Sequence, residues 1–295
     1  MKDTASNPSI CVLLAAYNGM EFIEEQVASI LDQQNVDVTL FVSVDRSTDG
    51  TEVWIDKLSA VESRVKVLPH GEVYGEAGKN FFRLFLNVDF SAFDAVALAD
   101  QDDVWLQTKL LDSYVLMKQL HVQAISADMI AIWPNGQRLL LRKSYPQQKY
   151  DHFFESPGAG CTFLLNRSVA IEFQRFLKKN IELIEDGTHH DWLIYAYCRS
   201  KGHPWHICST PLVYYRQHGG NQIGANFGFR AYLDRLEMIR SGVYRQQVQG
   251  LIKLVSPEKL EGFQSYWFLL SNASHLRRRV RDKIILFIAI LMRWY

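Results

Sequence analysis

Short apolar runs alternate with helical patterns through the first hundred residues. Val12-Leu13-Leu14-Ala15 reads as a buried strand that stops at the turn signal Tyr17-Asn18-Gly19. Phe22, Ile23, Val27, Ile30 and Leu31 then recur at helical spacing, and Asn18 with Glu21 three residues on predicts a capping box. Residues 38–44 predict a second strand with the polar exit Asp45-Arg46-Ser47-Thr48-Asp49-Gly50. Val53, Trp54 and Leu58 suit a second helix, residues 65–68 a third strand, and Phe81, Phe82, Leu84, Phe85 and Val88 a third helix. Residues 95–99 predict a fourth strand that runs straight into Asp100-Gln101-Asp102-Asp103. Strand and helix alternating at these lengths imply right-handed crossovers and a parallel sheet. Ligands on such sheets bind at the carboxyl ends of the strands, so the polar exits should converge on one cleft.

The middle of the chain is less regular. Residues 124–132 predict a strand, Trp133-Pro134-Asn135-Gly136 a turn, 160–166 a strand, 168–178 and 191–199 helices, and 203–215 further strands. Past Gly228 the chain turns helical and more basic. A soft boundary near residue 226 divides an α/β domain, 1–225, from a helical extension, 226–295, packed beside the sheet.

Composition then removes several function classes. Lys+Arg and Asp+Glu are 32 each, so no net charge recommends nucleic acid as a partner. With 48% hydrophobic residues the chain is not disordered. Cys11, Cys161, Cys198 and Cys208 form no C-x-x-C pair and read as buried, reduced thiols of a cytoplasmic protein. Residues 1–9 hold no signal-peptide pattern, and the apolar run 284–292 falls short of the ~20 residues that span a bilayer.

Three carboxylates within Asp100-Gln101-Asp102-Asp103 repel one another unless something positive offsets them. Hard oxygen ligands in this number suit Mg2+ or Mn2+, and those ions suit a departing diphosphate. A solvated acidic loop, with Asp103 capping the next helix, accounts for the same spacing.

Five blocks resolve the choice by resemblance: Ala15-Ala16-Tyr17-Asn18-Gly19, Val44-Asp45-Arg46-Ser47-Thr48-Asp49-Gly50-Thr51, Ala99-Asp100-Gln101-Asp102-Asp103-Val104-Trp105, His190-Asp191-Trp192, and Tyr215-Arg216-Gln217-His218-Gly219-Gly220-Asn221. In this order they resemble a family 2 glycosyltransferase of GT-A fold, on the rhamnosyltransferase-like branch that serves bacterial polysaccharide synthesis. The resemblance implies an α/β GT-A domain, a nucleotide-sugar donor (UDP-hexose or dTDP-rhamnose), and a polyprenyl-diphosphate-linked saccharide acceptor of O-antigen or capsule synthesis. It implies a divalent cation on Asp102, with His218 reaching the diphosphate or the cation. Asp100 would contact the donor ribose, and Asp103 either binds donor sugar hydroxyls or shapes the loop. Asp45 would contact the base; Val44 stands where relatives have a second Asp. Ala15, Tyr17 and Asn18 would lie under the base and ribose, and Lys79 near the nucleotide. Asp191 matches the catalytic base, which takes a proton from the attacking hydroxyl opposite the leaving group. His190 either orients Asp191 or packs. Trp105, Trp192 and Trp205 are candidates for sugar stacking, and Gly158 and Gly160 for close backbone approach to the donor sugar.

The stretch from His275 to Lys283 carries five basic residues and one acidic, and an apolar run follows it. That pattern suits an amphipathic helix on an anionic membrane surface, at the inner face of the cytoplasmic membrane. Removing it from Arg277 onward is then expected to weaken vesicle binding and spare the fold. An inactive nucleotide-sugar-binding protein of the same fold is the competing reading, opposed by the intact Asp102, Asp191 and His218. A sugar-1-phosphate nucleotidyltransferase would want a glycine-rich basic loop after the first strand, which Ala15-Ala16-Tyr17-Asn18-Gly19 is not.

Overall fold

A computed structural model describes residues 6–218 and 237–295. Its spine is β1 (Ser9–Ala16), β2 (Asp37–Val44), β3 (Val65–Val67) and β4 (Ala95–Asp100). These strands are joined by α1 (Ile23–Leu31), α2 (Thr51–Val61) and α3 (Ala77–Asn87). After β5 (Val104–Trp105) and α4 (Lys109–Gln119) come β6 (Ala124–Ala127), β7 (Met129–Ile132), β8 (Arg138–Leu141) and α5 (Asp151–Phe154). β9 (Leu164–Asn166), α6 (Arg167–Asn180), α7 (His190–Ser200), β10 (Trp205–Cys208) and β11 (Val213–Arg216) complete this part.

The main sheet has seven strands in the order β10-β6-β9-β4-β1-β2-β3. β1 pairs in parallel with β2 and β4, and β2 with β3, as the alternating pattern predicts. β9 runs antiparallel between β4 and β6. Apart from its first residue β1 is buried along its whole length, because helices cover both faces of a parallel sheet. A second sheet, β5-β11-β7-β8, lies at the carboxyl end of β4.

Two local expectations are corrected. The apolar stretch 124–132 is not one strand: β6 and β7 belong to different sheets and break at Asp128. The Asp128 carboxylate is buried and accepts the Ser144 N–H at 2.8 Å and the Ser144 hydroxyl at 2.8 Å, as well as the Lys143 N–H. A buried carboxylate needs such donors, and collecting them turns the chain. The Asn18–Glu21 capping box does not form either, since α1 begins at Ile23 with Phe22 at its N-cap. Asn18 sits at φ +45° and its side-chain oxygen accepts the Thr48 N–H at 2.8 Å, tying the β1 exit to the β2 exit.

Beyond residue 237 the chain forms helices over Val243–Val255, Leu260–Gln264, Tyr266–Asn272 and Val280–Leu291. Val248, Ile252, Phe263, Leu276, Leu286 and Ile290 pack into the same core as α3, α6 and α7. The boundary expected near residue 226 lies outside the described residues. Among the described residues no helix is long and apolar enough to cross a membrane. All four cysteines are free and buried.

Candidate active site

The exits of β1, β2 and β4 open on one cleft of about 1170 Å³, lined on that side by Ala15, Tyr17, Asp45, Asp100 and Asp102. Gln101, between the two aspartates, holds the exits in register. Its Oε1 accepts the Tyr17 N–H at 2.7 Å, and its Nε2 donates to the Tyr17 carbonyl at 2.8 Å. The side chain thereby pairs with β1 as an extra backbone unit would. Gly19 is required beside it, because a Cβ there would lie 2.5 Å from Gln101 Oε1.

Asp103 is fully buried behind the cleft, with Oδ1 accepting the Arg216 N–H at 3.3 Å and Oδ2 without a hydrogen-bond partner among the described residues. Ligand atoms of Asp100, Asp103 and Cys161 lie within 4.8 Å of one another. Burial pushes the Asp100 carboxyl up to about 7, with Asp102 and Asp191 adding to the rise. Burial, then Asp102 and Asp100, raise Asp103 well above the usual carboxylate range. Lys109, a residue that sequence reasoning missed, is buried near enough to this cluster to feel the Asp103 charge. Its Nζ is buried and lies 3.4 Å from the centre of the Trp105 ring. Burial pulls its pKa down to about 7, against the opposing pull of Cys161 and Asp103. In sequence Lys109 is an ordinary first-turn helix residue, and nothing local marks it as internal.

The exit of β11 brings two more groups to the acidic loop. His218 Nε2 lies 2.8 Å from Asp102 Oδ2, and Arg216 Nε donates to the Asp102 carbonyl at 3.0 Å. The Asp102 carboxylate and the His218 imidazole, side by side, are donors of a kind that fits a hard divalent cation. The Cys161 thiol, raised by burial, stays protonated and does not belong to such a set.

Asp191 occupies the first turn of α7 and lines the same cleft. Its Oδ2 accepts the Ser156 hydroxyl at 2.9 Å and its Oδ1 accepts the Trp192 N–H at 2.7 Å. His190 packs: its ring stacks on Phe81 at 4.0 Å, and burial pulls its pKa down to about 4, so it is neutral. A Cβ on Gly160 would come within 2.5 Å of His190 Nε2, so this glycine makes room for the ring.

Asp45 is engaged by its own loop, accepting N–H groups of Arg46 at 2.9 Å, Tyr74 at 2.8 Å and Gly75 at 2.7 Å. Asn18 and Lys79 lie outside the cleft lining, and Lys79 pairs with Asp186 at 2.6 Å on an exposed rim. Trp192 lines the cleft, whereas Trp105 and Trp205 are buried core residues.

The opposite wall comes from segments whose place the sequence did not disclose. Residues 139–143, 155–160 and 277–282 line it. Arg278 is buried, donating to Asp151 Oδ2 at 2.9 Å and to the Ser156 carbonyl at 2.6 Å. Arg277 donates to the Phe154 carbonyl at 2.8 Å and pairs with Glu155 at 3.7 Å. Both had been expected to face a membrane; they brace the loop that carries Ser156.

Comparison with known proteins agrees with this architecture. The sequence profile of the "Glycosyltransferase like family 2" matches residues 8–219. The dTDP-rhamnosyl transferase RfbG of Shigella flexneri is 33% identical over 286 residues, spanning 95% of this chain and 99% of that protein. The putative teichuronic acid biosynthesis glycosyltransferase TuaG of Bacillus subtilis is 28% identical over 149 residues, 50% of this chain and 54% of that protein. Staphylococcus aureus TarS residues 1–349, solved with UDP-GlcNAc, superposes with a TM-score of 0.60 at 16% identity, covering 97% of this chain and 80% of that one. The Pyrobaculum calidifontis mannosyltransferase PcManGT, solved with GDP-Man and Mn2+, gives 0.52 at 14% identity, covering 99% and 82%.

Proposed function

Because the chain belongs to the family 2 glycosyltransferases, we propose that it transfers rhamnose from dTDP-rhamnose, with inversion, to a lipid-linked saccharide in surface-polysaccharide synthesis. The choice of sugar rests on the RfbG likeness, which extends over nearly the whole of both chains. One observation carries the mechanism: the acidic loop of β4 and Asp191 of α7, ninety residues apart in sequence, face the same cleft, closely enough that Asp191 raises the Asp100 pKa.

In this reading the donor lies over the exits of β1 and β2, with Asp100 and Tyr17 beneath the ribose and Asp45 and its loop at the base. Asp102 and His218 would hold a Mg2+ or Mn2+ ion, which when bound supplies charge neutralisation for the donor diphosphate. Asp191 accepts the proton of the acceptor hydroxyl as its oxygen attacks the anomeric carbon and the bond from that carbon to the diphosphate oxygen breaks, releasing dTDP. The two hydrogen bonds that Asp191 receives fix the direction of its lone pairs. Lys109, under the acidic loop, limits the repulsion that would otherwise spread the carboxylates. The exposed apolar face of the 280–291 helix supports a peripheral site of action on an anionic membrane.

The test is a panel of dTDP- and UDP-sugars with Mn2+, read by thermal stabilisation and by donor hydrolysis. Stabilisation by dTDP-rhamnose that EDTA abolishes is the expected result. Stabilisation without hydrolysis, even after a polyprenyl-diphosphate saccharide is added, would instead identify an inactive nucleotide-sugar binder.

A further inference from the structure

The charges of the cleft are unevenly distributed: Arg46 stands among the acids of the strand exits, and Glu155 and Asp282 among the bases of the opposite wall, which keeps an excess of cations. Asp45, Asp100 and Asp102 stand at the strand exits, while Arg142, Lys143, Arg279 and Arg281 stand on the wall built by residues 139–143 and 277–282. Several cations of that wall are matched: Arg277 by Glu155 and Asp282, Arg278 by Asp151, and Arg281 by Asp282 at 3.2 Å. Arg142, Lys143 and Arg279 are not; among the described residues none has a carboxylate within 4.0 Å. Burial, then the nearby Arg278, pull the Lys143 pKa down, while the more distant carboxylates of Glu155 and Asp191 act in the opposite direction. Like charges facing one cleft repel one another, and a neutral saccharide does not offset that repulsion.

The same wall carries an apolar border. Leu139 and Leu140 line the cleft yet are 37% and 52% exposed. Val280, between Arg279 and Arg281, is 69% exposed and begins a row continued by Ile284, Phe287, Ile288 and Leu291, all exposed. That spacing places the row on one helical face. Unmatched cations inside the cleft thus adjoin an apolar surface outside it, a juxtaposition complementary to an amphiphile whose phosphate sits at the junction of a polar and an apolar part.

We propose that Arg142, Lys143 and Arg279 form an anion subsite for the phosphate or diphosphate of the lipid-linked acceptor, with the prenyl chain leaving across Leu139, Leu140 and Val280. This rests on the transferase reading above. It places the acceptor on the side of the cleft opposite the strand exits, where its hydroxyl meets Asp191. Arginine suits the role, because its planar fork binds phosphate oxygens in pairs.

The test uses the full chain in EDTA, where the cation-dependent donor site cannot hold a diphosphate. Geranyl diphosphate, a soluble short-chain probe, is titrated by calorimetry, with geraniol as the neutral control. Binding of the diphosphate but not the alcohol is expected. It should weaken tenfold or more in Arg142→Gln/Arg279→Gln and survive in Arg142→Lys/Arg279→Lys. Both arginines are exposed, so a melting temperature close to wild type is expected and checks the fold. No binding by the wild type, or equal binding by wild type and the Gln variant, overturns the subsite. So does a Gln variant that loses only its binding to phosphatidylglycerol vesicles, since the arginines would then serve bilayer headgroups. Donor turnover by the wild type with Mn2+ and a polyprenyl-diphosphate saccharide is measured separately. Its absence beside normal geranyl diphosphate binding would defeat the transferase reading and leave an anion site.

Discussion

Asp191 is fixed by its neighbours as much as by its helix. Asp191→Asn keeps the shape and both hydrogen-bond positions but removes the basic oxygen, so nucleotide affinity should persist while turnover falls at least a hundredfold. Equilibrium binding beside single-turnover transfer separates the two. Ser156→Ala removes the 2.9 Å bond to Asp191 Oδ2. The expected result is a roughly tenfold lower kcat with donor KM unchanged. Recovery in Ser156→Thr would show that the hydroxyl, not the volume, is what matters. Asp102→Ala should abolish both transfer and its dependence on divalent cation; transfer that persists in EDTA would refute the cation-dependent mechanism. At this scale the sequence was informative where chemistry shows in residue type. Asp100, Asp102, Asp191 and His218 were singled out through the resemblance of the five blocks, since an acidic loop or a helix cap would by itself explain their spacing. The structure brings the first three to one cleft, with His218 beside Asp102. Gln101 and Lys109 were not recognisable, since one pairs with a backbone 84 residues away and the other is buried by a fold not yet known.

Among the elements, the C-terminal segment departs most from expectation. Leu286, Ala289, Ile290 and Tyr295 are buried, and Arg278 neutralises Asp151, which is wholly enclosed. Removing residues from Arg277 onward is therefore expected to damage the fold rather than spare it. It opens an apolar face, leaves the buried Asp151 with Arg199 and the Tyr195 hydroxyl, and removes the Arg277 and Arg278 partners of Glu155. Breaking a buried ion pair from one side costs about 3–5 kcal/mol, so Arg278→Ala alone should lower the midpoint of urea unfolding substantially, and the truncated chain should be insoluble. The basic and apolar pattern of the tail was visible, but its orientation was not, because a helix apolar on two faces looks the same whether it meets a core or a membrane. The first four strands were legible for the opposite reason: long, fully apolar runs closed by polar exits fit few other structures. The switch of sheet at Asp128 was hidden, because the apolar character continues across it and a single carboxylate marks the break.

For the molecule as a whole, stability should carry a histidine signature. Burial, then Arg199 and Lys259, pull the His152 pKa from 6.5 to about 3, and neither ring nitrogen has a hydrogen-bond partner among the described residues. A base whose folded pKa lies below its unfolded one is protonated first in the unfolded chain. Its contribution is complete above about pH 6.5 and is lost as pH falls toward 3. His152→Phe should therefore gain on wild type as pH falls from 6 to 4, by about 1.4 kcal/mol per pH unit, read from urea melts at each pH.

The pairing of Arg277 and Arg278 with the 151–156 loop also has a temporal side. The carboxylates of Asp151 and Glu155 and the guanidiniums that answer them are separated by more than 120 residues of chain. Synthesis proceeds from the N-terminus, so every strand of the main sheet emerges from the ribosome before those guanidiniums do. Until they arrive the loop bearing Ser156 has no brace, and Asp191 lacks its aligned donor. A nascent chain can thus form its main sheet well before the loop bearing Ser156 is braced, so in the proposed mechanism the alignment of Asp191 waits on residues far downstream.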